Sequence, residues 1–169
     1  MIRPWAALFA LTMMAGACLA QAPTPSDADK AFGRGLSAFN SGDFKAAFEA
    51  WKPLAEAHDA RAEAGIGFMY HKGLGTQTDN AVAAMWFQRA ADQGQPEGQL
   101  MLGLLYLYGT GVPQCYIHAL AWCQIAQDFG QPDGQFCRDM AISYVSEADM
   151  RESYHLIDVL RLKLGLRKP

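Results

Sequence analysis

The chain is predicted to be all-α: a right-handed superhelix of stacked antiparallel helix pairs. Three observations predict this. Residues 60–95 fall on residues 96–131 at a shift of 36 without a gap, so that Gly67 meets Gly103, Tyr70 meets Tyr106, Gly73 meets Gly109, Gly75 meets Gly111, Trp86 meets Trp122, Ala90 meets Ala126 and Gly94 meets Gly130. A period of this length marks an array of small units rather than a single irregular core. Within each period, apolar residues recur at helical spacing in two runs, separated by glycine-rich breaks. The composition also supplies apolar mass for stacking: of 169 residues, 51% are hydrophobic and 18% charged, which excludes wholesale disorder.

The first segment reads as an export signal. Met1–Ala22 places one cation, Arg3, before an apolar run from Trp5 to Ala15, followed by small residues. That is the layout of a secretory leader, and the run is too short for a membrane span of about 20 residues. Cleavage after Ala20 leaves small residues at both recognition positions (Cys18 and Ala20); a cut after Ala22 would put Pro23 next. A second reading makes Cys18 a lipid-bearing cysteine. Either way the protein is exported and its mature chain is expected to carry no transmembrane segment: on the first reading residues 1–20 are an address, 21–27 a short Pro/Thr-containing tether and the protein periplasmic or secreted, and on the second it is lipid-anchored through Cys18.

Four units follow. In residues 28–59, Phe32, Gly35, Leu36 and Phe39 mark a first helix, Asn40–Asp43 a tight turn, and Phe44, Ala47, Phe48 and Trp51 a second helix; the unit is shorter than 36, with the missing residues expected in the turn. In 60–95 and 96–131 the pattern is complete. Leu102, Leu105 and Tyr106 mark helix A, Gly109–Pro113 breaks it, Ala119, Trp122, Cys123 and Ala126 mark helix B, and Gly130-Gln131-Pro132 opens the next unit. Gly67 and Gly103 let the partner helix approach, and Trp86 and Trp122 are expected to fill the gap between units. Residues 132–169 begin alike, then carry Arg138-Asp139 where Leu102-Gly103 stood, polar groups suited to a terminal cap facing water. Tyr154, Ile157, Leu160 and Leu164 mark a last amphipathic helix closed by Gly165.

Units 60–95 and 96–131 resemble Sel1-like repeats, 36-residue relatives of the tetratricopeptide repeat. The resemblance is carried by Ile66-Gly67-x-x-Tyr70-x-x-Gly73-x-Gly75, then Ala83-x-x-Trp86-x-x-x-Ala90-Ala91-x-x-Gly94, and by their counterparts 36 positions on. The first unit is similar to a tetratricopeptide unit or a shortened Sel1-like one. The family often has a Lys-Asp pair at the start of helix B; Thr78-Asp79 keeps the Asp, whereas Gln114-Cys115 has neither. The resemblance implies a superhelix whose concave surface is lined by the A helices and used to bind other proteins.

The chemistry-bearing residues are few. The four histidines have no ligand spacing between them; Cys115-x-x-His118 with Cys123 offers three ligands where zinc usually takes four, so an ordinary cysteine beside a histidine is the simpler reading. Cys123 and Cys137 each lie seven residues from Gly130 and stand in the slots of Phe87 and Met101, so antiparallel packing brings them level. They form either a disulfide or two buried thiols. No G-x-S-x-G, P-loop or G-x-G-x-x-G occurs, and the acids are scattered. Trp51, Trp86 and Trp122 look like a ladder but are expected to pack between units. Residues 27–150 carry 15 acids against 8 bases, and 151–169 carry 5 bases against 2 acids. That balance does not favour nucleic acid. The basic end is read as cations placed at a helix C-terminus.

The A-helix positions not needed for the core are Arg61, Phe68, His71 and Lys72, then Glu97, Leu104, Leu107 and Tyr108, with Tyr144 extending the row. Phe68, Leu104, Leu107 and Tyr108 are more apolar than a solvated surface requires. Either they bind a partner or the C-terminal helix folds back over them. The function expected is a non-catalytic adaptor of the cell envelope that binds a protein or peptide, with no metal or cofactor. The alternative is an envelope enzyme or binder acting on β-lactam or peptidoglycan-type substrates, by resemblance to exported cysteine-rich members of the family.

Overall fold

The computed structural model describes residues 25–166, and every regular element among them is helical. The helices are α1 (Pro25–Asn40), α2 (Phe44–Glu56), α3 (Ala60–Lys72), α4 (Asn80–Asp92), α5 (Pro96–Tyr108), α6 (Tyr116–Asp128), α7 (Asp133–Ile142) and α8 (Glu147–Lys163). The leader, Cys18, most of the tether, and Arg167-Lys168 lie outside the described residues. The tether is shorter than expected, because Pro25 starts α1; proline suits a first helical turn.

Each helix from α1 to α6 packs on the next, and the A helices α3, α5 and α7 also touch in sequence. This is the predicted stack of helix pairs. The 36-residue period holds down to the backbone. Gly73 ends α3 at φ 69°, ψ 34° and Gly109 ends α5 at φ 66°, ψ 34°, the left-handed region where glycine alone is unstrained. The turns also carry the stacking. A Cβ on Gly75 would come within 2.5 Å of Phe44 O, and one on Gly111 would collide with Asn80 O. Phe44 and Asn80 are themselves 36 apart, and each opens a B helix, so each unit seats its glycine turn on the start of the preceding unit's B helix.

The first unit departs from expectation. Its helix B lies 36 residues before α4 with identical bounds, so nothing is missing from the frame. Instead α1 continues to Asn40, one turn beyond the point where α3 and α5 stop, and a three-residue link replaces the seven-residue turn. No glycine stops α1 earlier, and Phe39 in the extra turn packs against Trp51 with ring centroids 5.6 Å apart. Leu36, one of the apolar residues that mark this helix in the sequence, is exposed. Trp51 falls in register with Phe87 and Cys123, not with Trp86 and Trp122, so the three tryptophans form no ladder. Trp122 is buried, whereas Trp86 is half-buried under the Arg89 guanidinium, 4.3 Å from the ring centroid.

The last unit also differs. Helix α8 packs on α6 rather than folding over the A helices. Ser153, Ile157 and Leu160 are buried, while Tyr154, expected in the apolar stripe, is exposed. Asp92 and Asp128 occupy the same slot at the C-terminal end of successive B helices, where a carboxylate opposes the helix dipole. Arg161 Nε lies 2.6 Å from Asp128 and Lys163 Nζ 2.7 Å from Asp92, so the basic end of α8 clips two units together. Arg138, expected to face water, donates to Gln124 Oε1 and Gln127 Oε1 of α6 and joins α7 to its neighbour.

Candidate functional site

The open side of the stack is built on Trp51. Its indole presses on α1 at Gly35 and on α3 at Gly65, where a Cβ would lie 2.8 Å from the ring. Nε1 donates to Phe32 O at 3.1 Å, and Phe32 and Phe39 stack on the indole with centroids 5.5 and 5.6 Å away. The next unit carries Leu100 and Met101 where this one has only Ala64 and Gly65, so space remains over the indole. The result is a cavity of about 410 Å³ lined by Phe32, Phe39, Trp51, Ala64, Gly65, Phe68, Phe87 and Met101, with Arg61, Gln95 and Glu97 supplying its polar side chains. A second cavity of about 250 Å³ adjoins it across Phe68 and Met101, lined by His71, Lys72, Leu104, Leu105, Tyr108 and Thr110.

The expected partner-binding residues divide between these cavities. Arg61 and Glu97 lie at the first, His71, Lys72, Leu104 and Tyr108 at the second, and Phe68 between them. Leu107 does not belong to the surface: it is 2% exposed and packs in the core. It lies one turn beyond Gly103, which faces Cys123 of α6, so it shares that inward stripe. His71 holds the same position in its own unit and is drawn the same way, with Nδ1 2.7 Å from Asn80 Oδ1 of α4. Tyr144 lines neither cavity; it stacks on Tyr116 with centroids 4.9 Å apart. Sequence reasoning misses the groove's aromatic floor, because Phe32, Phe39 and Trp51 read only as markers of the first two helices and Trp51 as a ring packed between units. Gly35 and Gly65, both facing one large ring, are the signal that could have found it.

The charges at the first cavity are partly spent. Arg61 Nη2 lies 2.7 Å from Asp59 Oδ2 and 2.9 Å from Asp29 Oδ1, and its guanidinium sits 4.7 Å from the Phe32 centroid. The Asp59 hydrogen bond, then that of Asp29, raises the Arg61 pKa above its ordinary value. Burial pushes the Asp59 carboxyl up, but hydrogen bonds from Arg61 and the Ala62 N–H outweigh it and leave it below the usual carboxylate range. Arg61 is thus a neutralised wall of the groove rather than a free cation.

Three further features lie away from the groove. Cys123 and Cys137 are joined by a disulfide with Cα atoms 5.7 Å apart. With its sulfur so bonded, Cys123 offers no ligand beside Cys115 and His118, and no group of three or more His, Cys, Asp or Glu among the described residues is placed to hold a metal. Cys115 is a free thiol, with Sγ 3.1 Å from His118 Nδ1. Glu63, unnoticed among the scattered acids, is fully buried with Arg89 Nη2 2.6 Å from Oε1 and Gln93 Nε2 donating to Oε2 at 2.6 Å. Burial raises its pKa, and Arg89 and Gln93 oppose that shift without cancelling it.

Stacked helix pairs in a 36-residue frame, with an open A-helix groove, define an α-solenoid. The Sel1 repeat family matches residues 60–95 and 96–126. The chain therefore carries two Sel1 repeats, within the solenoid fold of Sel1-repeat proteins. The crystal structure of a protective antigen present in uropathogenic Escherichia coli strains, which displays an SLR fold, is similar over 82% of this chain and 30% of that one, at 26% identity and a TM-score of 0.78. A Sel1 repeat protein from Oxalobacter formigenes is similar over 76% of this chain and 55% of that one, at 21% identity and a TM-score of 0.62, a likeness of fold alone. The chain thus spans between about a third and about half of these two proteins. No curated protein matches it. Sel1 repeats commonly serve as non-catalytic interaction scaffolds. Among the described residues no helix is long and apolar enough to cross a membrane.

Proposed function

We propose that this protein is an adaptor of the cell envelope, exported through residues 1–20, that holds a segment of a partner protein in the groove of α1, α3 and α5. The observation that supports this reading is the aromatic-floored groove, which α8 leaves uncovered by docking on α6. Concave surfaces of helical repeats suit extended segments, and an open apolar strip is costly to leave in water without a use.

Affinity capture from envelope extract should enrich one partner. The double variant Leu104→Ala with Tyr108→Ala should lose it while keeping its helical circular dichroism. Survival of binding in that variant means the wrong surface has been chosen. Export is checked by fusing residues 1–27 to a reporter that is active only outside the cytoplasm; an inactive fusion removes the envelope assignment. Turnover of a chromogenic β-lactam, abolished by one point change, would replace the adaptor with an enzyme.

A further inference from the structure

The groove is polarised, and its polarity specifies what fits. Helices α3 and α5 lie side by side and each has 13 residues, so the groove between them runs for about 20 Å. An extended chain rises about 3.3 Å per residue, so roughly six residues would fill that length. The middle is apolar: Trp51, Phe68, Phe87 and Met101. The end where α3 and α5 begin is acidic. Asp29 and Asp59 together exceed the single charge of Arg61, and Glu97 is exposed with no ion-pair partner among the described residues. The end where the same helices finish carries Lys72, exposed and likewise unpaired, while the His71 ring is engaged with Asn80. The helix dipoles favour an acid at the start and a base at the finish, but they leave both charges at the groove for a ligand to meet.

We infer that the occupant is an extended segment of about six residues with bulky apolar side chains at its centre, a basic side chain that meets Glu97 and an acidic side chain that meets Lys72. This rests on the reading of the groove as a peptide site. Charge matching of this kind sets register and orientation more than raw affinity.

The test uses three fluorescein-labelled hexapeptides sharing a leucine- and phenylalanine-rich centre. One is flanked by lysine and glutamate, one by two lysines and one by two glutamates. Fluorescence anisotropy at low ionic strength should show the mixed peptide bound about fivefold tighter than either other, the scale expected of exposed ion pairs. Glu97→Lys should shift the preference to the doubly acidic peptide, and Lys72→Glu to the doubly basic one. Both residues are exposed, and a thermal melt checks that each variant is folded. Equal binding of the three peptides, or a ranking that neither variant changes, overturns the polarity and leaves the peptide groove standing. Binding of none of them, or uptake of lauric acid in their place, overturns the peptide reading itself.

Discussion

Asp79 and Cys115 open successive B helices with nearly the same backbone, φ −145°, ψ 100° and φ −151°, ψ 103°. The Asp79 carboxylate accepts from the N–H groups of Ala81 and Val82, both at 3.0 Å, while Cys115 makes no such bond. Cys115→Asp should restore the cap on the N–H groups of Ile117 and His118 and stabilise the fold by about 1 kcal/mol, read as a higher melting temperature. A lower one would show that the Cys115–His118 contact matters more than the cap. Glu63 gives the opposite kind of prediction. Arg89→Ala leaves a fully buried carboxylate with only Gln93 donating to it and the His58 ring 3.6 Å away, and should cost about 3 kcal/mol in urea unfolding. Because burial raises the Glu63 pKa, the folded chain holds that proton more firmly than the unfolded chain does. The stability linked to this proton is complete below the unfolded value of about 4.3 and is lost as pH rises through the folded value. Glu63→Gln should therefore gain on the wild type as pH rises towards neutrality; a constant gap between them would contradict the shift.

Between elements, one pairing of positions recurs three times. Trp51 on α2 meets Gly65 on α3, Phe87 on α4 lines the groove beside Met101 on α5, and Cys123 on α6 is bonded to Cys137 on α7. Each pair is 14 residues apart, so the disulfide sits at the position where the first unit sets Trp51 against Gly65 and the second brings Phe87 and Met101 to one cavity. Its short loop assigns it about 3 kcal/mol of stability in the chain-entropy view. Reduction should lower the melting temperature without changing helix content. A chain lacking residues 1–20 should show one free thiol when denatured under non-reducing conditions; three would mean that the bond is not formed. The equal spacing of both cysteines from Gly130 makes this neighbourhood legible in the sequence, since an antiparallel pair brings such positions level whatever surrounds it.

Across the whole molecule, α8 ties units together along the B-helix side and leaves the A-helix side to the groove. Arg161 and Lys163 reach Asp128 and Asp92 from a single helix. Replacing both with alanine should raise amide hydrogen exchange in α8 selectively, with a stability loss of no more than about 1–2 kcal/mol, because such partly exposed pairs are worth little singly. Binding in the groove should be unaffected. Loss of binding in that variant would show that the two sides of the stack are coupled.

The period, the helix pairs and the turns were determined by the amino-acid sequence alone, because they rest on local chemistry: glycines that accept positive φ, small residues that allow close approach, and apolar spacing. Tertiary structure decided how each helix is turned and what it lies against. Leu107 faces inward although its neighbours Leu104 and Tyr108 line the groove, Trp51 belongs with Phe87 rather than with Trp86, and Glu63 finds Arg89 and Gln93 across the helix pair. One residue is 100° of helix, so a frame shift of one position in the first unit exchanges an interface ring for a groove floor. Where α8 docks was open for the same kind of reason: its stripe of Ile157 and Leu160 fits any apolar face, and the two aspartates that hold its basic end lie in units far from it in the chain.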